Sequence, residues 1–176
     1  TDKSVWLMVI FVADFFVEQV QGGGELANEE VIKHLLNKGF QVTKKRSHEV
    51  TKEYVLENSS NFFIIANFVN LHADTMPLFE SVDYVIYEHD HKYINTRNPS
   101  VFASHLAPFE ALTNKEFYKN AKAVLCQSKI HSEVVAKNLL LNNVVSLGCS
   151  LWNNETLDHI ESLCGNIKNK QASVVN

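Results

Sequence analysis

The sequence predicts an α/β protein built on a three-layer, doubly wound, mainly parallel sheet. Candidate strands and helices alternate along the chain, and most of the strands are short uninterrupted apolar runs. Such runs are typical of parallel sheets that helices cover on both faces. A length of 176 residues and a hydrophobic content of 45% suit one folded domain of this kind.

The candidate strands are recognised by apolar runs that polar or turn residues bound on either side. The first run starts at Val5 and is stopped by Asp14, the third reads NFFIIA, and the fourth reads DYVIYE. In chain order, the predicted strands are residues 5–12, 40–43, 61–66, 83–88, 121–127 and 143–147.

The candidate helices are recognised by apolar stripes and by capping residues. In the first helix, Ala27, Val31 and Leu35 recur at four-residue steps, and Gly39 follows as a helix-ending glycine. Ser128 occupies the N-cap position of the fifth helix. In chain order, the predicted helices are residues 25–38, 51–57, 73–81, 114–120, 128–139 and 154–163.

The domain prediction follows from where this alternation stops. We expect residues 1–165 to form one domain and residues 166–176 to form a polar tail or a linker to a second domain. Residues 89–113 lack a clean period and hold two prolines, so they are predicted to form a long excursion of the kind that often borders a site.

Charge and cysteine content exclude several classes of function. Sixteen Lys and Arg against twenty Asp and Glu give a net charge of −4, so we expect no nucleic-acid partner. The longest apolar run is much shorter than the roughly 20 residues that span a bilayer. Three cysteines without a CxxC pair argue against a disulfide framework and a thiolate zinc site, and favour the reducing cytoplasm.

A glycine-rich turn follows the first strand and opens the first helix. Gly22, Gly23 and Gly24 leave the backbone amides open to a ligand, and the partial positive charge of the helix N-terminus favours a phosphate or another anion there. The turn fits neither GxGxxG nor GxxxxGK[ST], so the dinucleotide and P-loop motifs are absent. Its position favours ligand binding, with a simple flexible turn as the alternative.

Polar residues cluster where the fourth strand ends, at Glu88, His89, Asp90 and His91. Alternate side chains of a strand point to opposite faces, so His89 and His91 could converge, as could Glu88 and Asp90. Three hypotheses are open: a metal site, polar residues that only cap a loop, and a substrate-contacting histidine. The last is favoured because open α/β sheets place their sites at the carboxyl ends of strands.

Further candidates lie in the long loop and at a later helix start. Lys92 and Tyr93, with Arg97, could hold a phosphate or stack on a sugar or base, although lone loop cations are usually only solvated. Ser128 is first of all a helix cap.

Four motifs, in this order, resemble the N-terminal half of a GT-B-fold glycosyltransferase, in the large retaining nucleotide-sugar family that includes sucrose synthase. GGGE at 22–25 with GFQV at 39–42 resembles the family's GGxE…GHxV signature, and VIYEHD resembles its strand ending in His and then Asp or Gly. AKAVLCQSKIHSEVV resembles its strand that ends in Ser before a helix. VVSLGCSLWN resembles the stretch around its NGVD, with neither the Asn nor the Asp.

This resemblance implies a Rossmann-like domain on the acceptor side of the enzyme. It implies that His89 is a catalytic residue that contacts the donor sugar, and that the glycine turn lies near the donor phosphates and the acceptor. We do not expect a bound metal or a cofactor in this chain; a nucleotide-sugar donor is expected for the full enzyme. The candidate substrate-binding residues are Gly22, Gly23, Gly24, Glu25, Asp90, Lys92, Arg97 and Ser128.

The expected function is therefore glycosyl transfer from a nucleotide sugar to a hydroxyl acceptor, which could be a glycan, a lipid or a small molecule. The family's second Rossmann-like domain has no counterpart in this sequence, so we expect the chain alone to be inactive. Two alternatives are a noncatalytic Rossmann-like module that binds a phosphorylated metabolite, and a metal-dependent hydrolase centred on His89, Asp90 and His91.

Overall fold

The computed structural model describes residues 8–164, which fold around one six-stranded parallel sheet. Residues 5–7 of the first predicted strand and the predicted tail at 166–176 lie outside the described residues. The strands in chain order are β1 Val9–Ala13, β2 Val42–Arg46, β3 Phe62–Ile65, β4 Asp83–Glu88, β5 Val124–Cys126 and β6 Val144–Ser146. The helices are α1 Gly23–Asn37, α2 Lys52–Glu57, α3 Lys115–Asn120, α4 Lys129–Leu139 and α5 Asn154–Leu163.

The strand order is β2-β1-β3-β4-β5-β6, and every neighbouring pair is parallel. The chain leaves β1 for β2 on one side and later returns to β3 on the other. This reversal is the topological switch point at which doubly wound sheets usually bind ligands.

Two apolar clusters lie on opposite faces of the sheet, as strand alternation requires. Val9 and Phe11 of β1 pack with Ile32 of α1. Ile10 and Val12 point to the other face, where they join apolar residues of α2, α3 and α4. The predicted α/β class is thus confirmed, with helices on both faces and a Rossmann-like three-layer arrangement.

Most elements differ from their predicted bounds by a few residues at one or both ends, and two of them differ in a way that has a physical reason. The second strand begins at Val42 and continues through Lys44, Lys45 and Arg46, because an edge strand tolerates charged side chains that pair with nearby carboxylates. The predicted helix at 73–81 is a short 3₁₀ helix, Met76–Ser81, with proline in its first turn.

The excursion after β4 is irregular, as predicted. It contains three 3₁₀ turns, at Pro99–Val101, Ala103–His105 and Phe109–Ala111, and a bridge between Ile94 and Leu112 closes it. Within residues 8–164, no helix is both long enough and apolar enough to cross a bilayer.

Candidate functional site

A pocket of about 240 Å³ opens at the carboxyl ends of the strands, beside the first turn of α1. It brings together residues from α1, from the ends of β4 and β5, and from the segment between β6 and α5. The lining residues are Gly23, Gly24, Leu26, His89, Gln127, Ser150, Leu151, Trp152, Asn153 and Thr156.

The predicted glycine turn forms one side of this pocket. Gly22 is the N-cap of α1, and Gly23 and Gly24 are its first two residues. A Cβ atom placed on Gly24 would lie 3.8 Å from Cγ of His89 and 3.8 Å from Nδ2 of Asn67. The structure therefore places Gly24 directly against His89, whereas a Cβ on Gly23 would meet no atom within 4 Å.

Glu25 lies in the first turn of α1 and is not among the residues that line the pocket. It is the third residue of α1, and its carboxylate folds back against Gly22, so that a Cβ on Gly22 would collide with it. A carboxylate in the first turn stabilises a helix through the helix dipole. In this structure, Glu25 therefore stabilises the N-terminus of α1.

His89 is held by side chains from two other elements. Its Nε2 lies 2.8 Å from Oδ1 of Asn28 on α1, and its Nδ1 lies 3.2 Å from Nε2 of Gln127. These partners fit one tautomer, in which Nε2–H donates to Asn28 and Nδ1 accepts from the Gln127 amide. The ring also packs edge-on against Tyr87, with centroids 4.5 Å apart.

The His89 imidazole is neutral near neutral pH. Burial, assisted by the positive charge of Lys92, lowers its pKa from 6.5 to about 4. Because both ring nitrogens already have partners, the arrangement suits an oriented, uncharged ring better than a proton carrier. Its predicted catalytic role stays a prediction.

Asn28 is one of the site residues that the sequence pattern did not predict. It is fully buried, and within residues 8–164 its Nδ2 has no hydrogen-bond partner. Its signal in the sequence was a polar residue four positions before Ile32, on the inward face of an apolar stripe. Gln127 and Trp152 were also missed as site residues, because only the tertiary fold brings their segments to the pocket.

The segment after β6 completes the pocket lining, and its residues Leu151 and Trp152 also lie along α1. Ser150 Oγ donates a hydrogen bond to Oε1 of Gln127 at 3.1 Å, which connects this segment to His89. Trp152 is 54% exposed and lines the pocket beside Leu151. An aromatic surface and neutral polar groups therefore face the same space.

His91 does not join His89. Its backbone has φ of 42°, which breaks the strand alternation, and its ring packs at a tilt of 55° against His131, with centroids 4.5 Å apart. Nδ1 of His91 lies 2.8 Å from the hydroxyl of Tyr93. Among residues 8–164, no three His, Cys, Asp or Glu side chains cluster as metal ligands would, so the metal-hydrolase hypothesis lacks a ligand set there.

The predicted cations Lys92 and Arg97 are neutralised within the chain. Lys92 is buried and pairs with Asp90 and, at 3.5 Å, with Glu88. Arg97 pairs with the other carboxylate oxygen of Asp90 at 3.1 Å. Asp90 thus bridges two cations, and these three predicted substrate contacts lie in an ion-pair network outside the pocket lining.

Glu88 is the fully buried centre of this network. Burial alone would raise its pKa, but Lys92, the Tyr118 hydroxyl and the Asp90 amide outweigh burial and hold the pKa below its ordinary value. A charged, multiply bonded carboxylate at this point fixes the start of the loop that carries His89.

Ser128 caps α4, as the sequence predicts. Its Oγ accepts a hydrogen bond from the amide of His131 at 3.2 Å, and its side chain does not line the pocket.

Compared with known proteins, the sequence matches no family model, and no curated protein matches it significantly.

Proposed function

We propose that this chain is the acceptor-side domain of a glycosyltransferase, and that its pocket binds a neutral, hydroxyl-bearing acceptor. The observation that carries the proposal is the chemistry of the pocket lining. Gly23, Gly24 and His89 meet there, which supports the resemblance-based hypothesis, and no charged side chain is among the lining residues found within 8–164.

The lining offers what a sugar or another polyol needs. Ser150, Thr156, Gln127 and Asn153 are neutral donors and acceptors, and Trp152 offers an apolar ring face. Pockets of this type combine apolar surface with a few placed polar groups that fix the orientation of the ligand. Since His89 is uncharged, the site favours a ligand without net charge.

The alternative is a noncatalytic Rossmann-like module that binds a phosphorylated metabolite. The N-terminus of α1 would favour a phosphate. However, a phosphate dianion usually also requires a cation, and the two cations predicted to bind it, Lys92 and Arg97, are already paired with Asp90. The uncharged pocket therefore favours the acceptor hypothesis.

The proposal assigns the nucleotide-sugar donor mainly to a second Rossmann-like domain, as in the family. Glycosyl transfer depends on holding two substrates together in one cleft, so one half of the cleft supplies little catalysis. We expect the purified chain to show no appreciable transfer from nucleotide sugars to glycoside acceptors in a product assay, and robust turnover would contradict the half-enzyme proposal.

We also expect the protein to act in the reducing cytoplasm, in keeping with its free cysteines.

The binding proposal is tested by Trp152 fluorescence in a Trp6→Phe variant, which leaves Trp152 as the only tryptophan. We expect maltose or a methyl glucoside to change the emission with an affinity near the millimolar range. Glucose 6-phosphate and UDP serve as charged comparisons. Tighter binding of the phosphorylated probes would favour the metabolite-binding alternative.

A further inference from the structure

The two edges of the sheet differ sharply in charge. The β2 edge carries Lys44, Lys45 and Arg46 in succession, and such charged side chains protect an edge strand from pairing with another strand. At the opposite edge, no residue from 138 to 154 is charged, and this stretch includes all of β6. The β6 edge therefore lacks the charge protection that the β2 edge has.

The backbone of β6 has groups available for pairing. Asn143 O accepts from the Val124 amide at 2.9 Å, and the Leu147 amide donates to Cys126 O at 2.8 Å. Residues 143, 145 and 147 therefore direct their backbone groups to β5, and by alternation Val144 and Ser146 direct theirs away from the sheet. Within residues 8–164, no hydrogen bond is formed by the outward amides of Val144 and Ser146.

The β6 edge also exposes apolar side chains. Val145 lies in register with Leu125, which in turn pairs with Tyr87, so these three side chains form a row on the face of the sheet that α1 packs against. Tyr87 is buried, but Val145 at the end of the row is 46% exposed, and Leu147 is 43% exposed. The row of apolar side chains thus continues to the open edge.

We propose that β6 pairs in antiparallel orientation with β6 of a second copy of this chain, on a twofold axis at Val145. Val144 of each copy would then exchange backbone hydrogen bonds with Ser146 of the other. The two Val145 side chains would form a non-hydrogen-bonded pair, with Cα atoms about 4.5 Å apart. A second copy is favoured because an uncharged strand meets its own copy without like-charge repulsion, and a twofold contact needs only one self-complementary edge.

A proline substitution tests this pairing without disturbing the protein's own sheet. Since the Ser146 amide points away from β5, Ser146→Pro removes no backbone hydrogen bond of the protein's own sheet. It also removes the Ser146 hydroxyl, which accepts from the Gly148 amide at 3.2 Å, and Ser146→Ala loses the same hydroxyl. Ser146→Ala keeps the amide and is the matched control. By light scattering at high micromolar concentration, we expect twice the 20.0 kDa chain mass for the native protein and Ser146→Ala, and the monomer mass for Ser146→Pro.

A cysteine placed at the axis tests the geometry directly. In a Cys149→Ser, Cys164→Ser background, Val145→Cys should form an intermolecular disulfide under mild oxidation, because this Cα spacing suits a disulfide. Thr43→Cys is the control, since it has the corresponding position on the β2 edge, with its backbone directed to β1. A native chain that stays monomeric, a Ser146→Pro variant that stays dimeric, or equal cross-linking at the two edges would each overturn the proposal.

Discussion

Asn28 and Gln127 determine the tautomer and the orientation of His89, because they contact its two ring nitrogens from different parts of the chain, while burial keeps the ring neutral. A neutral imidazole in a fixed tautomer presents a defined edge to a ligand and carries no charge that would attract a phosphate. The same contacts make the residue sensitive to acid, because protonation would require Nδ1 to stop accepting from Gln127.

We predict that His89 makes the fold less stable as pH falls from 6.5 towards 4. In the unfolded chain, the histidine takes up a proton near its ordinary pKa of 6.5, whereas folded His89 resists protonation until about pH 4. The unfolded state therefore binds more protons in this window, and His89 alone should cost about 2–3 kcal/mol of unfolding free energy.

Urea unfolding at several pH values between 4 and 7 measures this effect. A His89→Gln variant should lose part of the pH dependence, whereas His72→Gln, at an exposed position, should keep all of it. A residual slope is expected in His89→Gln, because burial also lowers the pKa of His91 and His131. Equal slopes in the native protein and His89→Gln would contradict the assignment.

The position of His89 at the end of a strand could be predicted from the sequence, but its hydrogen-bond partners could not. A buried run that ends in polar residues is a local pattern, so the histidine at the end of β4 was predictable. The bond to Asn28 spans 61 positions and depends on how α1 crosses the sheet, and single-sequence patterns carry no such information. For the same reason, the sequence showed that Lys92 and Arg97 are charged but did not predict that both pair with Asp90.

At the scale of elements, the glycine turn brings the start of α1 close to the loop after β4. Gly24 leaves room for an alanine Cβ, at ordinary contact distance from His89, but a longer side chain would enter the pocket. The glycine therefore matters for open space beside His89 rather than for an unusual backbone angle.

We predict that Gly24→Leu folds but weakens the binding of a neutral glycoside by about tenfold or more, which corresponds to about 1.4 kcal/mol. Gly24→Ala is the matched control and should bind nearly as well as the native chain, because its Cβ fits. Titration by Trp152 fluorescence provides the measurement. Unchanged affinity in Gly24→Leu would show that the ligand does not occupy this pocket.

Helix α5 contributes less to the core than its apolar pattern suggests. Its position and length were predictable from the sequence, but Leu157, Ile160 and Leu163 are each nearly half exposed. An amphipathic pattern predicts a helix with an apolar face, but it does not say which surface, if any, that face packs against.

We predict that Ile160→Ala lowers the unfolding free energy by less than about 1 kcal/mol. Ile32→Ala on α1 is the matched comparison, because Ile32 is only 3% exposed in the core beneath α1. It should cost about 2–5 kcal/mol. Urea unfolding of the two variants measures these changes. Equal losses of unfolding free energy in Ile160→Ala and Ile32→Ala would show that α5 is packed in solution.

At the scale of the whole molecule, alternation of apolar strands and helices made the fold class predictable, because each pattern is local and all of them agree. The strand order and the pocket were harder to predict from the sequence. The pocket requires α1, the ends of β4 and β5, and the segment after β6 to meet, and its uncharged character follows from which side chains reach it. Only the assembled fold shows that the charged residues of the loop pair with one another instead.

The central claim is that an uncharged ligand binds between the glycine turn, His89 and Trp152. Amide and side-chain NMR of the ¹⁵N,¹³C-labelled chain, titrated with maltose and separately with glucose 6-phosphate, tests it most directly. We predict that maltose shifts the signals of Gly23, Gly24, His89 and Trp152 and leaves those of the β2 edge unchanged, while the phosphate ester causes smaller shifts at equal concentration. Larger shifts with glucose 6-phosphate, or maltose shifts confined to residues away from this pocket, would contradict the claim.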